Sequence, residues 1–168
     1  MLKKILYPVL FLLLTVSSQA QQLKLDINGT ITFNSSDYMI KEAGKDFPST
    51  INSASNIQLS ISFINFWDKF FDSGKKWKIY VSKSDINWNQ NINIEIARVG
   101  EGTSLRNGKR ERIIGGTQFQ PILNTPVYFF RGQNEIFNIP VAFKVHGVSV
   151  TGGAQEIESV IMFTIYED

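Results

Sequence analysis

Ile57-Gln58-Leu59-Ser60-Ile61-Ser62-Phe63 sets an apolar side chain at every odd position and a small polar one at every even position. Side chains of an extended strand point alternately to its two faces, so this run has one face for a core and one for water. A helix, with its period of 3.6, would scatter the same residues around its axis. The pattern recurs on both sides. Upstream, Leu23, Leu25 and Ile27 alternate with Lys24, Asp26 and Asn28. Downstream, Trp77, Ile79 and Val81 alternate with Lys78, Tyr80 and Ser82, and Ile92, Ile94 and Ile96 alternate with Asn93, Glu95 and Ala97.

Further strands are expected around Gln118 to Ile122, Val127 to Phe130, Ile136 to Val145 and Ile157 to Tyr166. Pro121, Pro126 and Pro140 should mark edges, bulges or ends, because proline has no N–H to give to a ladder. Turns are expected at Ser73-Gly74, Gly100 to Gly108, Gly115-Gly116, Arg131-Gly132 and Thr151-Gly152-Gly153. Many short strands punctuated this regularly, without alternating helices, predict an all-β, two-sheet antiparallel sandwich. One segment departs from period two. Phe63, Phe66, Trp67, Phe70 and Phe71 fall at helical spacing, so a two-turn helix or a compact aromatic loop is expected between two strands.

The first twenty residues read as a leader rather than as fold. Lys3 and Lys4 precede an apolar run from Ile5 to Val16, and Ser18-Gln19-Ala20 supplies small residues for cleavage, so residues 1–20 are expected to be a signal peptide. The run is too short to cross a bilayer, which takes about 20 apolar residues. With Lys3 and Lys4 removed, 17 Lys+Arg become 15, equal to the 15 Asp+Glu. A neutral chain is a poor match for nucleic acid, where phosphate neutralisation supplies most of the affinity. The remaining length, 21–168, suits one domain with a self-sufficient core. With no cysteine there is neither disulfide, nor zinc-thiolate site, nor thiol nucleophile, nor lipoprotein anchor.

Candidate chemistry is sparse. His146 is the single histidine, too few for a triad or a three-ligand zinc site without unusual partners, and it reads as a turn-flanking residue beside Gly147. Asp85, Asn87, Asn89 and Asn91 alternate like the start of a calcium loop, but Gln90 and Ile96 stand where glycine and glutamate belong, so a polar loop is expected. Arg106, Lys109, Arg110 and Arg112 form a basic tip suited to an anionic glycan or surface, or simply to solvent. Trp67 and Trp88 lie in expected connections, where exposed indoles contact ligands or cover the end of the core. No glycine-rich loop carries the Lys-Ser/Thr that holds nucleotide phosphates. No cofactor or catalytic residue is expected.

Two stretches resemble subunits of bacterial chaperone–usher pili. Gly29-Thr30-Ile31-Thr32-Phe33-Asn34 is similar to the opening of their first strand, and Val160-Ile161-Met162-Phe163-Thr164-Ile165-Tyr166 to their apolar, aromatic closing strand. The chain lacks the pilin cysteine pair, and its extension Gln21 to Asn28 is short, so it resembles a cysteine-free pilus-like or spore-coat-like secreted protein. The resemblance implies an immunoglobulin-like sandwich with an open groove. A periplasmic chaperone fills that groove first, and then a strand donated by another subunit. Leu23, Leu25 and Ile27 have the spacing of the donor, and Ile161, Phe163, Ile165 and Tyr166 belong to the closing strand.

These readings combine into one expectation: a non-enzymatic fimbrial subunit, exported to the bacterial periplasm or cell surface, assembling with copies of itself or related subunits and serving cell adhesion. The alternative is a monomeric secreted sandwich that binds glycan or protein through Trp67, Trp88 and the Arg106 to Arg112 tip. In that case Leu23 to Phe33 is an ordinary first strand, kinked at Gly29.

Overall fold

The period-two runs are strands. The structure, a computed structural model, describes residues 23–31, 44–53, 57–64, 74–86, 88, 90–104, 113–149 and 158–168. They form β1 (Leu23–Asn28), β2 (Thr50–Asn52), β3 (Gln58–Phe63), β4 (Lys76–Asp85), β5 (Asn93–Arg98), β6 (Ile114–Gly115), β7 (Gln120–Pro121), β8 (Val127–Gln133), β9 (Ile136–His146) and β10 (Ser159–Glu167). The leader, the aromatic segment after Ile64 and the basic tip lie outside the described residues. Among those described there is no helix, hence none long and apolar enough to cross a membrane.

Two antiparallel sheets pack face to face. One has the order β1-β3-β9-β5-β7, with β2 also on β9, and the other β10-β4-β8-β6. From β3 to β10 each successive strand lies in the opposite sheet from the one before it. Lettered A to G in chain order, the seven strands of six residues or more among the described residues fall as A-B-F-D and G-C-E. The constant-type immunoglobulin sandwich is A-B-E-D and C-F-G. Here the sixth long strand lies beside the second, and the fifth beside the third.

The apolar members of each alternation meet between the sheets. Leu59, Ile61, Phe63, Trp77, Ile79, Val81, Ile94 and Ile96 are buried there with Phe129, Phe130, Ile139 and Phe143. The Trp77 ring meets Phe130 edge to face at 5.9 Å, and its indole N–H donates to the Asn134 carbonyl at 2.7 Å.

Two turn and edge expectations are corrected. Arg131-Gly132 is not a turn but part of β8; Gly132 is paired across from Trp77, and a Cβ there would come within 2.3 Å of the indole. The glycine makes room for a ring. The chain turns instead at Asn134, which adopts φ 62° between β8 and β9. Pro140 lies inside the central strand β9, not at a sheet edge. It follows a bulge in which β9 has an extra residue opposite β3, with Asn138 at φ 56°. The Pro140 carbonyl accepts from Val99, just past the end of β5. In an antiparallel strand a residue's N and C=O point the same way, so the missing N–H falls where the β5 ladder has already ended.

Candidate functional site

The two ends of the described chain meet along one side of the sandwich. β1 is the edge strand of its sheet, in register with β3 from Leu23↔Phe63 to Asn28↔Gln58. β10 is the edge strand of the other sheet, in register with β4 from Ser159↔Asp85 to Glu167↔Trp77. Among the described strands neither has a second hydrogen-bonded partner. Between them runs a groove of about 370 Å³, bordered by Leu23, Lys24, Leu25, Ile27 and Ile64 on one side and by Phe163, Thr164 and Ile165 on the other, a mixed lining in which apolar side chains outnumber polar ones.

Most of the residues expected to assemble therefore line one seam. Leu23 is buried, Leu25 half-buried and Ile27 half exposed, so the β1 row rises out of the core along its length. From β10, Ile165 is buried and Ile161 and Phe163 are partly buried against the core. Tyr166 does not join them. It stands on the opposite, outer face of β10, ring to ring with Tyr80 at 5.3 Å.

The two edges are protected differently. β1 turns Lys24 and Asp26, ion-paired at 2.8 Å, towards water. From Ser159 to Tyr166, β10 has no charge, proline or glycine, and Val160 and Met162 are exposed on its outer face. Uncharged edge strands rich in β-branched and aromatic residues are templates for pairing with another strand.

Trp67, Arg106, Lys109, Arg110 and Arg112 lie outside the described residues. Trp88 packs partly buried against the core, its indole N–H donating to the Ile92 carbonyl at 2.7 Å and its face covered by the Lys83 ammonium at 4.7 Å. Lys83 is itself buried and ion-paired with Asp85, which also accepts from Ser159 of β10 at 2.9 Å. This cluster ties β10 to β4 beside Trp88 and commits the first oxygen ligand of the calcium-like pattern.

Burial pushes the Asp85 carboxyl up, but hydrogen bonds from Lys83, Ser159 and Asn124 and the Lys83 charge more than offset it and hold it below its ordinary 3.8. A carboxyl depressed in the folded state stabilises above its unfolded pKa, and that stability is lost as pH falls through the folded value. Wild type should therefore lose denaturant resistance below about pH 4 more steeply than Asp85→Asn, as urea midpoints from pH 7 to pH 3 will report. Parallel curves for the two proteins refute the coupling.

His146 ends β9 beside Gly147, as expected, but it is also a cross-strand tie. Its ring nitrogens lie 3.0 Å from Thr50 Oγ1 on β2 and 3.0 Å from Glu95 Oε2 on β5. Hydroxyl, imidazole and carboxylate in a row have the order of a hydrolytic relay. They lie across three hydrogen-bonded strands on the outer sheet face, however, where the neighbouring backbone belongs to the β2-β9-β5 ladders. An oxyanion needs donors that no ladder has claimed. Sequence alone did not reveal this tie, nor buried Arg98, which donates to the carbonyls of Gly100 and Gly115 at 2.6 and 3.1 Å. The first depends on register between distant strands, and the second on how the chain after β5 folds back over Arg98.

Among the described residues no group of three or more His, Cys, Asp or Glu is placed to hold a metal ion. No family model, curated protein or solved structure matches this chain.

Proposed function

We propose that this chain is an exported structural subunit of a bacterial cell-surface fibre, assembling by exchange of β1 between copies. Residues 1–20 direct the export, and a chaperone in the periplasm covers the seam until a neighbour does. In the assembled form, β1 of one copy takes the place of β1 in the next, along β3 and against Phe163 and Ile165. The subunit acts by holding its neighbours, with no chemical step.

The observation that carries this reading is the placement of β1. It is a six-residue strand at the first described end, bonded among the described strands on one side only, to β3, and bordering a groove into which Leu23, Leu25, Phe163 and Ile165 converge. Just after it, Gly29 takes φ 112°, a conformation that suits a hinge. Exchange replaces each intramolecular contact by the same contact between copies, so it costs little at equilibrium, and concentration sets the balance. Head-to-tail exchange that does not close on itself gives a fibre.

The absence of cysteine allows a direct test. Lys24 and Ser62 face each other across the β1–β3 register, and opposed Cβ atoms about 5 Å apart are within reach of a disulfide. Lys24→Cys combined with Ser62→Cys, oxidised during export, should give a non-reducing ladder longer than a dimer, while each single variant stops at dimer. A double variant that runs only as monomer, with its disulfide formed within the chain, overturns the proposal and leaves a closed sandwich.

A further inference from the structure

Away from the seam, the outer face of the β10-β4-β8-β6 sheet has an arrangement that packing does not explain. The register places Tyr166, Lys78 and Arg131 in one row across three strands, and Thr164, Tyr80 and Tyr128 in the next. Lys78 and Arg131 are thus directly opposed, and like charges in that relation destabilise a sheet. Asp168 pairs with Lys78 and so answers one of them. Arg131 and Lys76 form no ion pair of their own among the described residues, but they border a 320 Å³ hollow together with Gln133 and Asp168, whose carboxyl Lys78 first, and then Arg131 and Lys76, hold below its ordinary value. Three cations thus share one carboxylate on this face.

The tyrosines beside these cations are held in fixed orientation. Tyr80 meets Tyr128 at 5.8 Å and Tyr166 at 5.3 Å, perpendicular to both within about 15°. Tyr128 is 38% and Tyr166 52% exposed, large values for aromatics already braced by a neighbour. Two strand spacings across the sheet, about 10 Å, and one row along it, about 7 Å, separate them, a diagonal that a short oligosaccharide covers. Braced, half-exposed phenols present ring faces and hydroxyls at little entropic cost.

We propose that this face binds an acidic saccharide, its carboxylates over Arg131 and Lys76 and its sugar rings against Tyr128 and Tyr166. The partner is assigned by charge complementarity and by shape: Lys76, Lys78 and Arg131 share the single carboxylate of Asp168, the positive excess calls for an anion, and a flat aromatic row beside them calls for rings that carry it. A neutral glycan would gain nothing from that excess. The proposed contacts, Arg131, Lys76, Tyr128 and Tyr166, do not line the seam, so the site does not depend on strand exchange.

The test is calorimetric titration of the full mature chain with a galacturonic acid tetrasaccharide, beside maltotetraose and a glutamate oligomer of equal charge. The acidic sugar should bind, and more weakly as salt is raised. Arg131→Gln should weaken it by about tenfold or more, as loss of a charge-assisted hydrogen bond does. Tyr128→Ala and Tyr166→Ala should each weaken it by about five- to tenfold. Melting curves show that the variants are folded, and Tyr166→Ala decides the aromatic arm should Tyr128→Ala fail to fold. Any of three results overturns the proposal: no heat with the acidic sugar at millimolar concentration, equal binding of the glutamate oligomer, or equal binding of maltotetraose with Arg131→Gln unaffected.

Discussion

Trp77→Ala is expected to cost about 3–5 kcal/mol of folding stability, the range for removing a fully buried indole. Trp77 is 0% exposed, contacts Phe130 edge to face, and ties β4 to the β8–β9 corner through the Asn134 carbonyl. Truncation leaves a cavity at the centre of the sandwich and releases a carbonyl from the one residue whose positive φ makes the corner. A urea transition shifted to low denaturant with an unchanged slope is the expected observation. The partner substitution makes the argument specific. Gly132→Ala puts a methyl group 2.3 Å from the ring, and overpacking of that kind costs about 1–3 kcal/mol. Combined with Trp77→Leu, it should cost much less than alone, a non-additivity that identifies residues in contact. Full additivity would mean that the ring does not lie across β8.

Leu23→Ala is expected to cost about 2–5 kcal/mol, whereas Ile27→Ala, four residues along the same face, should cost less than about 0.5 kcal/mol. The contrast follows from burial: Leu23 is 1% exposed opposite Phe63, and Ile27 is 50% exposed where β1 leaves the core. Since β1 has one hydrogen-bonded neighbour, the loss at Leu23 falls on the docking of a single edge strand, which opens locally before the sheet does. Faster amide exchange in β1 than in β9 should accompany the lowered melting temperature. If copies exchange β1, the same substitution also shortens the disulfide ladder of the Lys24→Cys, Ser62→Cys protein. Equal costs at Leu23 and Ile27 would contradict the placement of β1.

The contrast between these residues shows where sequence reading reached its limit. Leu23 and Ile27 are equivalent in the alternation, and so are Ile161 and Ile165; their different exposures depend on where each strand passes beyond the opposite sheet. Tyr166 ends a run, Val160 to Tyr166, whose single polar residue is Thr164, too weak an alternation to set the inner face. Its register with Lys78, fixed by β4, turns it outward to Tyr80. Gly132 looked like a turn because glycine is the usual punctuation of loops, but its reason is a tryptophan fifty-five positions earlier that needs the space. Pro140 looked like a strand end because proline cannot donate, and the end that matters is that of its neighbour β5.

The sequence by itself determined what is local. Period-two hydropathy made the strands, prolines and glycines limited where they could break, and the absence of cysteine left packing as the source of stability. Tertiary structure alone decided which strands are neighbours, which two are left as edges, and which side chains meet across them. The physical reason is that alternation specifies a face for each strand but no partner, because any strand with one apolar face satisfies any other. Partner and register are chosen by the joint fit of side chains far apart in the chain, such as Trp77 over Gly132, and that fit exists only once both sheets are closed.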